Sequence, residues 1–99
     1  MLSVKPISEN IPNEFQLYQN YPNPFNPSTE IKFSIPNDVH VNIRIYNLTG
    51  EEVLTLLDED KTTGYYSIIF EGSNFASGVY FYKLEAGSFS DVKKMVLIK

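Results

Sequence analysis

The chain has 99 residues, 42% of them hydrophobic and 14% aromatic, which is enough apolar material for one folded domain and too short for two. Cysteine is absent, so a disulfide framework, a Cys-ligated metal site and thiol catalysis are excluded together. Eight basic residues against twelve acidic ones give a net charge of −4, the wrong sign for a phosphate-binding surface, and nucleic acid is not an expected partner.

No stretch approaches the ~18 consecutive apolar residues of a membrane-spanning helix, so no transmembrane segment is expected. The start, Met1-Leu2-Ser3-Val4-Lys5-Pro6, also lacks the apolar run of a secretory signal, and the chain reads as a module of something longer. Residues 1–20 carry Pro6, Pro12 and scattered polar residues without a sustained period, which predicts a linker or lead-in ahead of a domain over residues 21–99. Asn20-Tyr21-Pro22-Asn23-Pro24-Phe25-Asn26-Pro27 follows. Its three prolines fix φ and exclude helix, while Tyr21 and Phe25 are placed to cap a core.

From Thr29 the pattern alternates. Ile31, Phe33 and Ile35 share one face of a strand, and after the Pro36-Asn37-Asp38 turn Val41, Ile43 and Ile45 share one face of the next. Asn47-Leu48-Thr49-Gly50 predicts a turn into the apolar run Val53 to Leu57, forming a hairpin. The acidic run Asp58-Glu59-Asp60 with Thr62-Thr63-Gly64 reads as a polar loop. Tyr66, Ile68 and Phe70 then alternate, as do Tyr80, Tyr82 and Leu84, and a last strand runs from about Phe89 to Lys99. In that strand either Met95 and Leu97 or Val96 and Ile98 point inward, with the lysines outward. No window has a helical period. About six to seven short strands at roughly ten-residue spacing predict an all-β, antiparallel, Ig-like or fibronectin-like sandwich, with an open five-stranded barrel as the second choice.

Chemistry is sparse. His40 is the only histidine, so any Ser-His-Asp arrangement would run through it, and its place beside a turn predicts an ordinary exposed strand histidine. Asp58-Glu59-Asp60 lacks the spacing of a calcium loop. No enzyme activity, metal or cofactor is expected. A sugar-stacking platform would use Tyr46, Tyr65 and Phe81, against the plainer reading that these rings fill and flank a small core. Asn47-Leu48-Thr49 matches a glycosylation pattern that recurs by chance.

Four segments, in order and spacing, carry a family likeness: Tyr18 to Thr29, Ile45 to Gly50, Ala76 to Leu84 and Lys93 to Lys99. Together they closely resemble the type A C-terminal sorting domain of proteins exported by the type IX, or Por, secretion system of Bacteroidetes and their relatives. The resemblance implies an Ig-like sandwich that directs an upstream cargo, an enzyme or adhesin, through the periplasm and across the outer membrane. It also implies outer-membrane secretion machinery and a sortase-like processing peptidase as partners, and a secreted or surface-attached product. Carried over by residue, the recognition strand is Lys93, Lys94, Met95, Val96, Leu97, Ile98 and Lys99. The family motif falls on Tyr21, Pro22, Pro24, Phe25 and Pro27, on Gly50, and on Gly78, Tyr80 and Tyr82. Glu71 after Phe70 departs conservatively from the Asp often found before that turn. A similar motif set occurs in the Ig-like domain of flagellar hook-capping proteins. A carbohydrate-binding, scaffold or adhesion module is therefore the alternative.

An extended terminal strand is a physically sound address, because its backbone can pair with a receptor's sheet edge while alternate side chains select.

Overall fold

Strands, most of them dictated by two-residue alternation, make up more than half of the computed structural model, which describes residues 4–8 and 10–99. Among these residues there are eight strands: β1 (Val4–Ser8), β2 (Gln16–Leu17), β3 (Ser28–Ile35), β4 (Val39–Tyr46), β5 (Glu52–Lys61), β6 (Gly64–Glu71), β7 (Gly78–Ala86) and β8 (Phe89–Leu97). They form two four-stranded antiparallel sheets, ordered β1-β6-β3-β2 and β5-β4-β7-β8. The chain changes sheet between β3 and β4, between β5 and β6, and again between β6 and β7. The β4–β5 and β7–β8 pairs are hairpins. This is the fibronectin-like form of the Ig sandwich that the strand count predicts.

Cross-strand rows build the core. In the first sheet Thr29, Ile31, Phe33 and Ile35 of β3 stand opposite Phe70, Ile68, Tyr66 and Gly64 of β6. In the second, Val41, Ile43 and Ile45 of β4 stand opposite Ala86, Leu84 and Tyr82 of β7. All twelve residues that alternation puts on the inner faces of these strands are buried, and Leu17, Phe25, Leu56, Leu57, Met95 and Leu97 join them. A tyrosine corner fixes the start of β7: the Tyr80 hydroxyl donates to the Ala76 carbonyl at 2.7 Å.

The acidic run Asp58-Glu59-Asp60 is strand, not loop. Asp60, Glu59 and Asp58 pair with His40, Val41 and Asn42, because β5 is a sheet edge whose outward side needs no apolar residues. The pairing of β4 with β5 slips twice, leaving Leu56 and Val53 as extra residues, and the first slip lets both Leu56 and Leu57 turn inward.

The lead-in supplies both outer strands of the first sheet. Val4, Lys5 and Pro6 pair with Ile68, Ser67 and Tyr66, and Gln16 and Leu17 pair with Ser34 and Phe33. Edge strands bond on one side only, so a segment with neither sustained alternation nor a long apolar run still joins, and Pro6 is tolerated there. Residues 1–3 and 9 of the expected lead-in lie outside the described residues.

Ile43 sits in the middle of the second sheet with no exposed surface. Its truncation to Ala is expected to cost about 2–5 kcal/mol, read as a lower urea midpoint with an unchanged slope; an unmoved midpoint would contradict the packing.

Candidate functional site

The terminal strand, β8, lies at the edge of its sheet and has a laddered neighbour, β7, on one side only. Met95 and Leu97 are the inward pair, each fully buried, facing Tyr80 and Gly78. The lysines do not all point outward together. Lys93 occupies the inward row and stays partly wet beside Asp91 (3.9 Å), whereas Lys94 is exposed on the other face opposite Phe81. Lys99 closes the chain onto the turn after β6: its N–H donates to Ser77 Oγ (3.0 Å) and its Nζ to the Ser73 carbonyl (2.6 Å).

The free side of β8 is held by the Pro-rich segment. Gln19 Nε2 donates to the Lys94 carbonyl (2.7 Å), and the Val96 N–H donates to Asn23 Oδ1 (3.0 Å). Phe25 then acts as a one-residue parallel strand: its N–H donates to the Val96 carbonyl (2.9 Å) and its carbonyl accepts from the Ile98 N–H (3.0 Å). The Phe25 ring is 2% exposed and meets Phe70 edge-on at 5.8 Å, and Phe70, Phe75 and Tyr80 continue the row of rings.

Two buried polar centres keep this clasp in shape. The Tyr82 hydroxyl accepts from the Asn20 N–H (2.8 Å) and donates to the Tyr18 carbonyl (2.7 Å), and burial pushes its pKa up to about 12. Asn20 Nδ2 donates to Thr29 Oγ1 (2.9 Å) and to the Pro22 carbonyl (3.1 Å), which also accepts from the Thr29 hydroxyl (2.8 Å). The Tyr21-Pro22, Asn23-Pro24 and Asn26-Pro27 bonds are cis. Tyr21, expected to cap the core beside Phe25, is 80% exposed; its backbone bridges Glu30 and so turns the ring away.

Gly72, legible in the sequence only as a turn, seats the clasp. Its N–H donates to the Pro27 carbonyl at 2.7 Å, and a Cβ there would lie 2.9 Å from that oxygen and 3.2 Å from Phe25. Gly50 lies apart from the clasp. It ends a local turn at φ +88°, in which Asn47 Oδ1 accepts from the Thr49 and Glu51 N–H groups (3.1 and 3.0 Å). Hydrogen bonds from the side chains of Asn47 and Thr49 hold the Glu51 carboxyl below its ordinary range.

Thus the motif segments Tyr18 to Thr29, Ala76 to Leu84 and Lys93 to Lys99, far apart in sequence, converge on one strand. Residues 19–99 match the family described as the secretion system C-terminal sorting domain. The chain belongs to the type IX sorting domains. The match opens at Gln19, the first side chain of the clasp. A domain of this family is a sorting signal, which implies dealings with the type IX machinery and export to the cell surface or the medium. No curated protein and no solved structure matches the chain.

The three rings of a sugar platform do not share a face. Tyr46 and Phe81 are cross-strand neighbours on the second sheet, but Tyr65 is on β6 in the first, because the chain changes sheet after β5. His40 holds Asp58 through Nε2 and Asp60 through Nδ1, both at 2.6 Å, on the exposed face of the β4–β5 hairpin. Among the described residues no group of three or more His, Cys, Asp or Glu side chains is arranged for a metal, and no helix is long and apolar enough to cross a membrane.

Two measurements follow from these bonds. Tyr82→Phe leaves the Asn20 N–H and the Tyr18 carbonyl without their buried partner, and is expected to lower stability by about 1–3 kcal/mol in urea denaturation. The His40 imidazole, held first by Asp58 and then by Asp60, titrates above its ordinary 6.5. Its folded pKa is raised, so its stabilisation is complete below 6.5 and is lost as pH rises through the folded value. NMR titration is expected to show this raised pKa, and Asp58→Asn to lower it more than Asp60→Asn does.

Proposed function

We propose that this sorting domain, residues 21–99 with edge strands added by the lead-in of residues 1–20, is a non-catalytic export address whose terminal strand is its indispensable part. It carries an upstream cargo, an enzyme or adhesin, from the periplasm across the outer membrane. There a sortase-like peptidase removes it and the cargo is attached to the surface. The recognition residues are Lys93, Lys94, Met95, Val96, Leu97, Ile98 and Lys99. Tyr21, Pro22, Pro24, Phe25, Pro27, Gly78, Tyr80 and Tyr82 hold that strand in presentable form.

One observation carries the reading: in a chain of the sorting family, the proline-rich motif is spent on the outer edge of the last strand.

The test is a fusion behind a signal peptide and a reporter in a host with a type IX system. The intact domain is expected to deliver the reporter to the surface or medium, and deletion of Met95 to Lys99 to leave it in the periplasm. That deletion also removes the buried Met95 and Leu97, so Lys93, Lys94 and Lys99 are changed to Ser in a parallel fusion. Those three partly or fully exposed sites should shift stability by no more than about 0.5 kcal/mol. A folded but retained triple variant means the receptor reads the lysines; a folded and exported one means they are solvated surface. Export of the deletion, or retention of the intact fusion, would overturn the sorting reading in favour of a scaffold, adhesion or glycan-binding role.

A further inference from the structure

The backbone groups of β8 alternate between its two sides. The outward bonds at Lys94, Val96 and Ile98 put the even-numbered residues on the open edge, so those of Ser90 and Val92 face the same way. From the Lys94 carbonyl onward these groups are occupied by Gln19, Asn23 and Phe25. Upstream, among the described residues, the Ser90 N–H and carbonyl, the Val92 carbonyl and the Lys94 N–H have no partner. The Val92 N–H meets only the carboxylate of its neighbour Asp91, at 2.9 Å. The clasp's hydrogen bonds therefore cover half of the edge and stop; β2 and the Phe15 ring, stacked on Phe89 at 5.2 Å, approach the rest without bonding its backbone.

Other edges are blunted. β5 presents Asp58, Glu59 and Asp60 and slips register twice; β1 contains Pro6; β2 is two residues long. Along Ser90–Lys94 there is instead a half-exposed Val92 (50%) with Lys83 opposite it, and Lys94, which among the described residues has no carboxylate within ion-pair distance. Lys83 is matched by Glu85 at 3.8 Å and Lys93 by Asp91 at 3.9 Å, which leaves Lys94 as the unmatched positive charge on this edge; in a chain of net charge −4 it favours an acidic visitor over a second copy of the same chain. A five-residue edge also falls short of the roughly 1,000 Å² that a stable homodimer buries, and suits a contact that must release.

We propose that the domain is docked by strand addition along Ser90–Lys94, by an extended partner segment carrying an acidic side chain opposite Lys94. This rests on the export-address reading and moves the backbone contact upstream of the final residues, which the clasp already occupies.

Ser90→Pro deletes an outward N–H that the β7 ladder does not use, so the sandwich tolerates it while the incoming strand loses a bond. In the same reporter fusion, Ser90→Pro is expected to cut surface delivery by about tenfold or more, with Ser90→Ala, which keeps the N–H, restoring it to within about twofold. Lys94→Glu is expected to fall likewise and Lys94→Arg to recover. Thermal melting of each purified domain reports whether it folds. A folded Ser90→Pro exported as well as the intact domain overturns the proposal. If that variant does not fold, Lys94→Glu decides, and its normal export overturns it equally. Intact export with a retained terminal deletion and normal Ser90→Pro delivery would sink this inference while leaving the sorting reading standing; retention of the intact fusion would sink both. A concentration-dependent dimer in sedimentation, lost in Ser90→Pro, would assign the edge to a second copy and so overturn the acidic partner.

Discussion

A strand at the edge of a sheet has one laddered neighbour, and the clasp around β8 answers that constraint. Met95 and Leu97 anchor β8 from the inside, but the outward N–H and carbonyl groups of its last residues would otherwise face water or any passing strand. The Pro-rich segment satisfies them, and can do so because prolines hold it extended without needing a ladder of its own. Its grip depends in turn on a tyrosine from the neighbouring strand: Tyr82 spans the core and receives the segment's backbone at Asn20 and Tyr18. A buried hydroxyl with both partners supplied rigidifies its surroundings. With one removed, it becomes a liability.

The same economy explains why separated motif segments behave as one unit. Gly72 must lack a side chain for Pro27 to approach, Phe25 must be aromatic to reach Phe70, and Tyr80 must reach back to Ala76 to set the corner from which β7 departs. These are packing and hydrogen-bonding demands, and they need no chemistry at a cleft. By contrast the Asn47 to Gly50 turn answers only to itself, since its bonds run within five residues.

Much of the sandwich was legible in the sequence because a period of two is a statement about faces, and each of Ile31, Phe33, Ile43, Ile45, Ile68 and Leu84 sits where alternation puts it. What hydropathy could not convey was edge position. Asp58 to Asp60 looks like a loop because its polar residues need only a wet side, and Val4–Ser8 looks like a linker because backbone pairing of four residues with β6 leaves little trace in composition. The clasp was half legible. Three prolines announced an extended segment, but the bonds from Gln19 to Lys94 and from Val96 to Asn23 join residues more than seventy positions apart, and nothing local encodes them. Tyr21 shows the reverse failure: an aromatic beside Phe25 suggests a second plug, yet its backbone pairing with Glu30 sends the ring outward.

A terminal address can be read in place or by pulling the strand out, and the two differ sharply in cost. Extraction would expose Met95 and Leu97, each worth about 1.5–3 kcal/mol when fully buried. It would also unmake the clasp bonds and uncover Tyr80 and Tyr82 on the strand beneath. Small domains hold only about 5–15 kcal/mol in all, so a receptor that peeled β8 away would come close to unfolding what it had to recognise. Reading at the edge leaves the inward pair packed and uses groups that the fold has left unspent. The clasp then has a double effect: it ties the last residues of β8 to the body of the domain, and by occupying their outward groups it leaves only Ser90–Lys94 with outward backbone groups to offer another strand.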